Sequence, residues 1–571
     1  VVAASGARRR LTAIAGVVTA IAIAAAAVAW LRSRSSTEQR AVSSPAPVTR
    51  PTPVPLLKRV AVGAFENRTG DGSLDSLGKQ IEDRTAEVLA QIGRVEVVSG
   101  PESAEAVVQG AYAKQGGTIE LRAELRSVAG KKLMATAGPV ELPTGRAREV
   151  IERLAQDTAG RVASYADPFL APIGHAIHLP NLAAYREYVQ AIELRHRGET
   201  ARSLQHFEKG AELDPGFILA PLRVSYDYFN RSQYEEAASV CEKLIKLQSG
   251  FTPVERALTE EMESRLRGDR RSAYEAIRRA AELAPGFNQL PLRAGILQVQ
   301  RNLPREALTW FAQTDPEAPE VPAMWWAYWA GRTEALHMVG EHARELEEAQ
   351  QGRRQSPASL ILLSFEVRAL AALGRTGEVE AVLREASSLT SDWDAGLTAG
   401  DRKRLAADEL LAHGHIQASG AALEQAEEWF RSRPPPEATL EIVRSGLWNV
   451  LYRRGKLNEA RALGEALRRE FPKSVEYLGR CGALAARQAR PDEAQKISNQ
   501  LRDLDRKYLF GEHTLWRSRI AALLGDREIA LKLLREAFAQ GAAFGVWLHR
   551  DVDFESLQGD PGFRELLQPR G

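Results

Sequence analysis

AELDPGF at Ala211–Phe217 returns 70 residues later as AELAPGF at Ala281–Phe287. APLR at Ala220–Arg223 returns at the same offset as LPLR at Leu290–Arg293. Two units fit in that offset, so the underlying period is near 34 residues, and it can be followed from about Leu182 to Phe538. Self-similarity at a fixed period of this size marks stacked supersecondary units. Each unit buries its apolar face only against its neighbours, and the stack presents an extended surface. Binding is therefore the expected task of most of the chain.

The units carry a recurring order of residues. In the first, Gly198 falls at the inter-helix turn, Ser203 and Gly210 at small positions, Phe207 at the large position and Pro215 after the second helix. The large position then runs Phe207, Cys241, Ile277 and Phe311, with separations of 34, 36 and 34. Further turns fall at Gly340, Gly374, Gly414, Gly455, Ala489 and Gly525, with looser spacing and a widened gap at Pro434–Pro436. Glycine suits a turn that needs a left-handed residue, and proline stops the second helix. This pattern resembles tetratricopeptide repeats, and about ten units fit. The resemblance implies a mostly α helical solenoid over 180–540 that binds peptide or protein partners. Residues 541–571, with Leu548, Phe554, Leu557 and Phe563, read as a C-terminal cap over the last apolar face.

Upstream, Leu11–Leu31 is an uncharged apolar run of 21 residues ending near Trp30. At about 1.5 Å per residue it spans roughly 30 Å, the thickness of a bilayer core. It reads as one transmembrane helix following a 1–10 cytoplasmic tail. Ala27-Val28-Ala29 offers the rival reading of a signal-peptide cleavage site. Basic residues flank the run almost evenly, so orientation by charge is weak. The first residue is Val, which fits either an alternative start or the C-terminal part of a longer product. A proline-rich linker, 32–57, follows.

Residues 58–168 read as a small α/β domain. Strands are expected at Arg59–Phe65, Val95–Val98, Ala106–Ala113, Thr118–Val128 and Lys131–Ala137, with helices over Leu74–Ile92 and Arg146–Tyr165. Asp75 is the candidate cap of the first helix. The order implies a mixed sheet with helices on one face. Phe-Glu-Asn-Arg-Thr-Gly-Asp at Phe65–Asp71, after the apolar strand, and Val-Val-Gln-Gly-Ala-Tyr at Val107–Tyr112 resemble the N-terminal domain type of TolB and FlgO proteins. That resemblance implies an envelope-facing module between a membrane helix and a repeat array. In similar proteins a cytoplasmic kinase or winged-helix output domain precedes the helix, and neither is present in this sequence.

Composition narrows function further. A formal net charge of +2 gives no overall pull toward nucleic acid. Cys241 and Cys481, far apart, support no disulfide framework. No phosphate-binding loop, nucleophile elbow, HExxH or kinase set occurs. The glycine-rich Asn67–Gly72 lacks the lysine of a phosphate loop and reads as a plain turn. No catalytic residue, metal site or cofactor is expected. His413 and His415 read as solvated turn residues without ligand partners, as do His337 and His342, and His513 as a capping residue. Arg265, Arg267, Arg270, Arg271, Arg353 and Arg354 read as solvated surface.

Two aromatic groups are the candidate binding residues. Tyr185, Tyr188, Arg195, Tyr226 and Phe229 fall, by repeat alignment, on first-helix positions that line the groove. Trp325, Trp326, Tyr328 and Trp329 place four aromatics in five residues. Tyr and Trp are enriched at binding hot spots, although solenoid cores also use them. The reading from sequence is a non-enzymatic, single-pass protein of the bacterial inner membrane with most of its chain periplasmic. It binds a protein or peptide, with no nucleic acid and an open oligomeric state. The alternative is the sensory half of a transmembrane signalling protein.

Overall fold

The computed structural model describes residues 55–115, 118–142, 146–318, 325–389 and 398–570, the side chain of Trp325 excepted. The expected membrane helix Leu11–Leu31 and nearly all of the proline linker lie outside them. Among the described residues, no helix is long and apolar enough to cross a membrane.

The N-terminal sheet has the strand order β2-β1-β3-β4-β5, with β1 at Arg59–Asn67, β2 at Glu96–Val98, β3 at Ala106–Gln115, β4 at Thr118–Ser127 and β5 at Leu133–Leu142. β1 runs parallel to both β2 and β3, while β3, β4 and β5 form an antiparallel meander. Alternation explains which face is covered. Leu121, Ala123 and Leu125 of β4 are buried, whereas the intervening Arg122, Glu124 and Arg126 are not. Helices α1 (Asp75–Ala90) and α2 (Ala147–Tyr165) pack together on that apolar face. The mixed sheet with helices on one face is thus present. Asp75 does not cap α1; it accepts from Asn67 Nδ2 at 2.6 Å instead. The glycine-rich loop closes on itself, with Asn67 Oδ1 accepting from Thr69 and Asp71 Oδ1 from Ser73.

Ten helix hairpins follow among the described residues. Their first helices are α3 (Leu182–His196), α5 (Leu219–Asn230), α7 (Pro253–Leu266), α9 (Gln289–Val299), α11 (Trp325–Met338), α13 (Leu360–Ala372), α15 (Ala399–Ala412), α18 (Glu441–Arg453), α20 (Val475–Arg487) and α22 (Glu512–Leu523). Their second helices are α4 (Thr200–Leu213), α6 (Tyr234–Leu247), α8 (Arg270–Leu283), α10 (Pro304–Ala312), α12 (His342–Gln355), α14 (Thr376–Ala386), α16 (Ile416–Arg431), α19 (Leu457–Glu470), α21 (Pro491–Arg502) and α23 (Arg527–Ala539). The short α17 (Pro435–Ala438) fills the widened gap.

Local chemistry sets each hairpin. Every turn holds one residue at positive φ, and where glycine is missing Ser232, Asn302 and Ala489 take that conformation. Close helix contact recurs as well. Ser203, Ser225, Ser419 and Ser518 each donate to a carbonyl 12 residues away on the partner helix, at 2.7–2.9 Å. Large residues then plug between units at glycines. A Cβ on Gly295 or Gly331 would lie 2.6 or 2.5 Å from the Phe311 ring. Phe311 is fully buried, and burying such a side chain stabilises by about 1.5–3 kcal/mol.

The α/β domain and the solenoid do not meet as loosely joined bodies. One core cluster runs from Leu57 through Leu154 and Phe207 to Leu297. Asp167, fully buried, accepts from Tyr185 Oη at 3.0 Å. The connector is pinned further by Thr252 Oγ1, which donates to Ala176 O at 2.7 Å, and by the His178 amide, which donates to Glu255 at 2.7 Å.

Candidate functional site

Successive first helices meet along the array, some by backbone packing and others through side-chain pairs such as Arg195–Asp227, Arg293–Glu261 and Tyr477–Glu441, and together they form a wall. The C-terminal segment returns along that wall. Gly541 and Gly268 both have positive φ and pack backbone against backbone, where a Cβ on Gly541 would lie 2.8 Å from Gly268 O. Arg270 Nη2 donates to Gly541 O at 2.7 Å, and the Phe544 amide donates to Gln300 O at 3.1 Å. The Val546 amide then donates to Glu334 of α11 at 3.0 Å. Arg550 reaches Glu409 of α15 at 2.7 Å, and Tyr452 Oη of α18 donates to Asp553 at 2.6 Å. Asp551 accepts from Arg519 of α22 at 2.8 Å. Beyond it Phe554, Leu557 and Phe563 bury against Leu531 and Leu534 of the last hairpin. What the sequence did not foretell is that Gly541–Asp553, read there as part of a cap, forms a strap on the first-helix face.

At the middle of the strap lies a cluster of imidazoles and carboxylates. Glu409 Oε1 has three ring nitrogens around it: His337 Nε2 at 3.1 Å, His413 Nε2 at 3.2 Å and His549 Nε2 at 3.1 Å. Its other oxygen is held by Arg550. Glu345 is arranged in the same way. Oε2 faces His337 Nδ1 at 2.8 Å and His342 Nδ1 at 3.3 Å, and Oε1 accepts from Arg368 Nε at 2.6 Å. His337 stacks on His549 with ring centroids 5.2 Å apart. Both carboxylates are almost completely buried.

Burial opposes charge throughout the cluster, and partners decide the outcome. Burial pushes Glu345 upward, but Arg368 and the two histidines outweigh it and bring the carboxyl from 4.5 to about 2. Burial is likewise overcome at Glu409, where contacts from His337, His413 and His549 and the charge of Arg550 hold it well below the usual carboxylate range. Burial lowers His337, yet Glu345 and Glu409 leave its pKa above 6.5. At His549 burial wins over Glu409, and the pKa falls. Carboxylate contacts thus prevail at His337 and burial at His549.

This placement corrects the expectation for the histidines. His337, His342 and His413 do have ligand-type partners, because three hairpins and the strap bring them together. His415 stays outside the cluster. His513 does not cap α22, whose N-cap is Gly511. Of the arginines, Arg267, Arg271 and Arg354 are exposed as expected, and three others are corrected. Arg265 pairs with the fully buried Glu261, Arg270 is spent on Gly541 and Gln300, and Arg353 bridges Glu366 and Glu385.

The expected groove residues divide. Tyr185 and Tyr188 are core residues, 5% and 3% exposed, the latter edge-on to Phe207 and Phe217. Arg195 pairs with Asp227. Tyr226 donates to Glu261 and lies under the Arg293 guanidinium at 4.3 Å. Phe229 packs on Tyr234 and on Phe510 from eight repeats later. All five are engaged in the fold. In the aromatic cluster Tyr328 and Trp329 are buried and T-shaped to each other, whereas Trp326 is 46% exposed; the Trp325 side chain lies outside the described residues.

No family model matches the chain, and no curated protein matches it. Solved structures similar to it include a tetratricopeptide repeat protein from Parabacteroides merdae, at 13% identity over 53% of this chain and 98% of that one, with a TM-score of 0.27. The human IFIT1 dimer with PPP-AAAA is 13% identical over 62% and 81%, TM-score 0.30. The APC/C hetero-tetramer Cut9-Hcn1 is 10% identical over 74% and 86%, TM-score 0.28. The helical-repeat fold rests on the hairpins themselves.

Proposed function

We propose that this chain is an interaction protein of the bacterial envelope whose solenoid binds a peptide or protein partner along its first-helix wall. One observation carries the reading. That wall holds a segment of short 3-10 turns, Gly545–Asp553, through side chains of four first helices, Glu334, Glu409, Tyr452 and Arg519. A surface that seats a segment of its own chain through spaced polar contacts has the chemistry to seat another. The strap then acts as an internal occupant that a partner displaces or extends.

In this reading Leu11–Leu31 is a single-pass inner-membrane anchor and residues 32–57 a spacer. The α/β domain is a TolB/FlgO-like module on the periplasmic side, and the protein has no catalytic role. The mixed sheet with both helices on one face supports the module assignment. A sensory role is favoured by a separate feature, the core shared by the α/β domain and the first hairpins, which would carry a change in the solenoid toward the linker.

A photo-crosslinking residue at Asn449 on α18, compared with one at the exposed Lys243 on α6, tests the binding role in intact cells. The expected result is a discrete partner adduct from Asn449 and none from Lys243. Identical adducts from both positions, or only internal adducts to the strap, would contradict it.

A further inference from the structure

We propose that His337, His413, His549 and Glu409 bind one divalent transition-metal ion of the zinc class, which staples the strap to the solenoid wall. Four ligand atoms, one from each residue, all lie within 4.8 Å of one another. Zinc takes imidazole nitrogen and carboxylate oxygen at about 2.0–2.2 Å in a tetrahedron, whose ligand atoms then stand roughly 3.4 Å apart. The three distances from Glu409 Oε1 to the ring nitrogens are 3.1, 3.2 and 3.1 Å.

Hydrogen bonding alone does not satisfy this arrangement. A carboxylate oxygen offers two lone-pair directions, and here three ring nitrogens address one oxygen. The surplus is visible: His413 Nε2 is buried and makes no hydrogen bond. A single cation among the four atoms gives each a partner.

The surroundings match what holds metal ligands in place. A ligating histidine usually donates its second ring nitrogen to a carboxylate, and His337 Nδ1 faces Glu345 at 2.8 Å. Glu345 is fixed in turn by Arg368. The free oxygen of Glu409 is anchored by Arg550, which turns Oε1 toward the histidines. Nitrogen and carboxylate donors without thiolate favour Zn2+, Co2+ or Ni2+ over Ca2+ or Mg2+. Three ligands come from α11 and α15 and the fourth from the strap, so binding ties residues far apart in sequence and couples metal to closure. This inference does not depend on a partner, and metal uptake reads it separately from crosslinking.

The test is Co2+ titration of the tag-free full chain in detergent, after chelator treatment, followed by Zn2+ competition. The expected result is one Co2+ per chain with the visible absorption of a tetrahedral site, bleached by Zn2+. His413→Ala and His549→Gln lose that spectrum. His415→Ala keeps it, and Glu345→Gln weakens binding roughly 10–100-fold. Circular dichroism confirms that the variants are folded. Should one unfold, diethyl pyrocarbonate labelling of the wild-type chain decides, with Zn2+ shielding His413 and His549 but not His415. No tetrahedral spectrum in the wild type, a spectrum kept in both ligand variants, or no shielding overturns the proposal.

Discussion

The first hairpins and the histidine–glutamate cluster are built by opposite means. In α3–α8 the core contacts join neighbours in sequence, as where Tyr188 meets Phe207 and Phe217 and Ser225 reaches Ala237, and only an edge meets distant chain, through Phe229 on Phe510 and Arg270 on Gly541. In the cluster His337, Glu409 and His549 are joined across more than two hundred residues. A solenoid needs only nearest-neighbour packing to stand. The cluster gains His549 and Arg550 only because the strap comes back across the wall. Periodicity therefore accounts for stability along the stack, while the chemistry sits where the periodicity is broken.

The largest expected break in that comparison is Glu409→Ala. It leaves the part-buried Arg550 without its carboxylate, and removing one partner of a buried pair costs up to about 3–5 kcal/mol. Urea denaturation and limited proteolysis check it, and cleavage should begin in the strap, not in α3–α8. Acid comes next. Glu345 has its folded pKa depressed from 4.5 to about 2. Its contribution is therefore present above about pH 4.5 and is lost as pH falls toward 2, on the order of 3 kcal/mol in all. Glu345→Gln should flatten that limb of a stability-versus-pH curve.

Changes within the periodic part should be smaller. Gly446→Ala places a Cβ 2.2 Å from the buried Phe430 ring. An exposed helix would gain up to about 1 kcal/mol from this change, but here overpacking costs about 1–3 kcal/mol, read as a lower Tm. The smallest effect is a gain. Ala489 sits exposed at φ 55 in its turn. Ala489→Gly relieves the left-handed strain and should stabilise by about 0.5 kcal/mol after the entropy of glycine is counted.

What could be read from sequence follows the same division. The turns at Gly198, Gly340, Gly374 and Gly455 were legible because a left-handed residue is a local demand. Ser232 and Asn302 meet the same demand without glycine and left no signal. Tyr185 and Tyr188 were placed on the groove by repeat register. The first unit differs from the rest, however, because α2 and the connector cover it, and buried Asp167 claims the Tyr185 hydroxyl. The cluster was legible in part. His337 and His342 flank one turn and His413 another two units on, so stacking alone brings those turns to one corner of the array. Glu409, four residues before His413 on one helical face, completes that signal. Nothing in the sequence marks His549, because its position depends on the whole path of the chain between α15 and the strap.

The central claim, that Gly541–Asp553 lies along the first-helix wall held by Glu409, is tested most directly by amide hydrogen exchange of the strap. The account predicts slow exchange at Phe544 and Val546, whose amides bond to Gln300 and Glu334, and faster exchange there in Glu409→Ala while α3–α8 stays protected. Exchange of the strap at the rate of an unstructured peptide in the wild-type chain would contradict it.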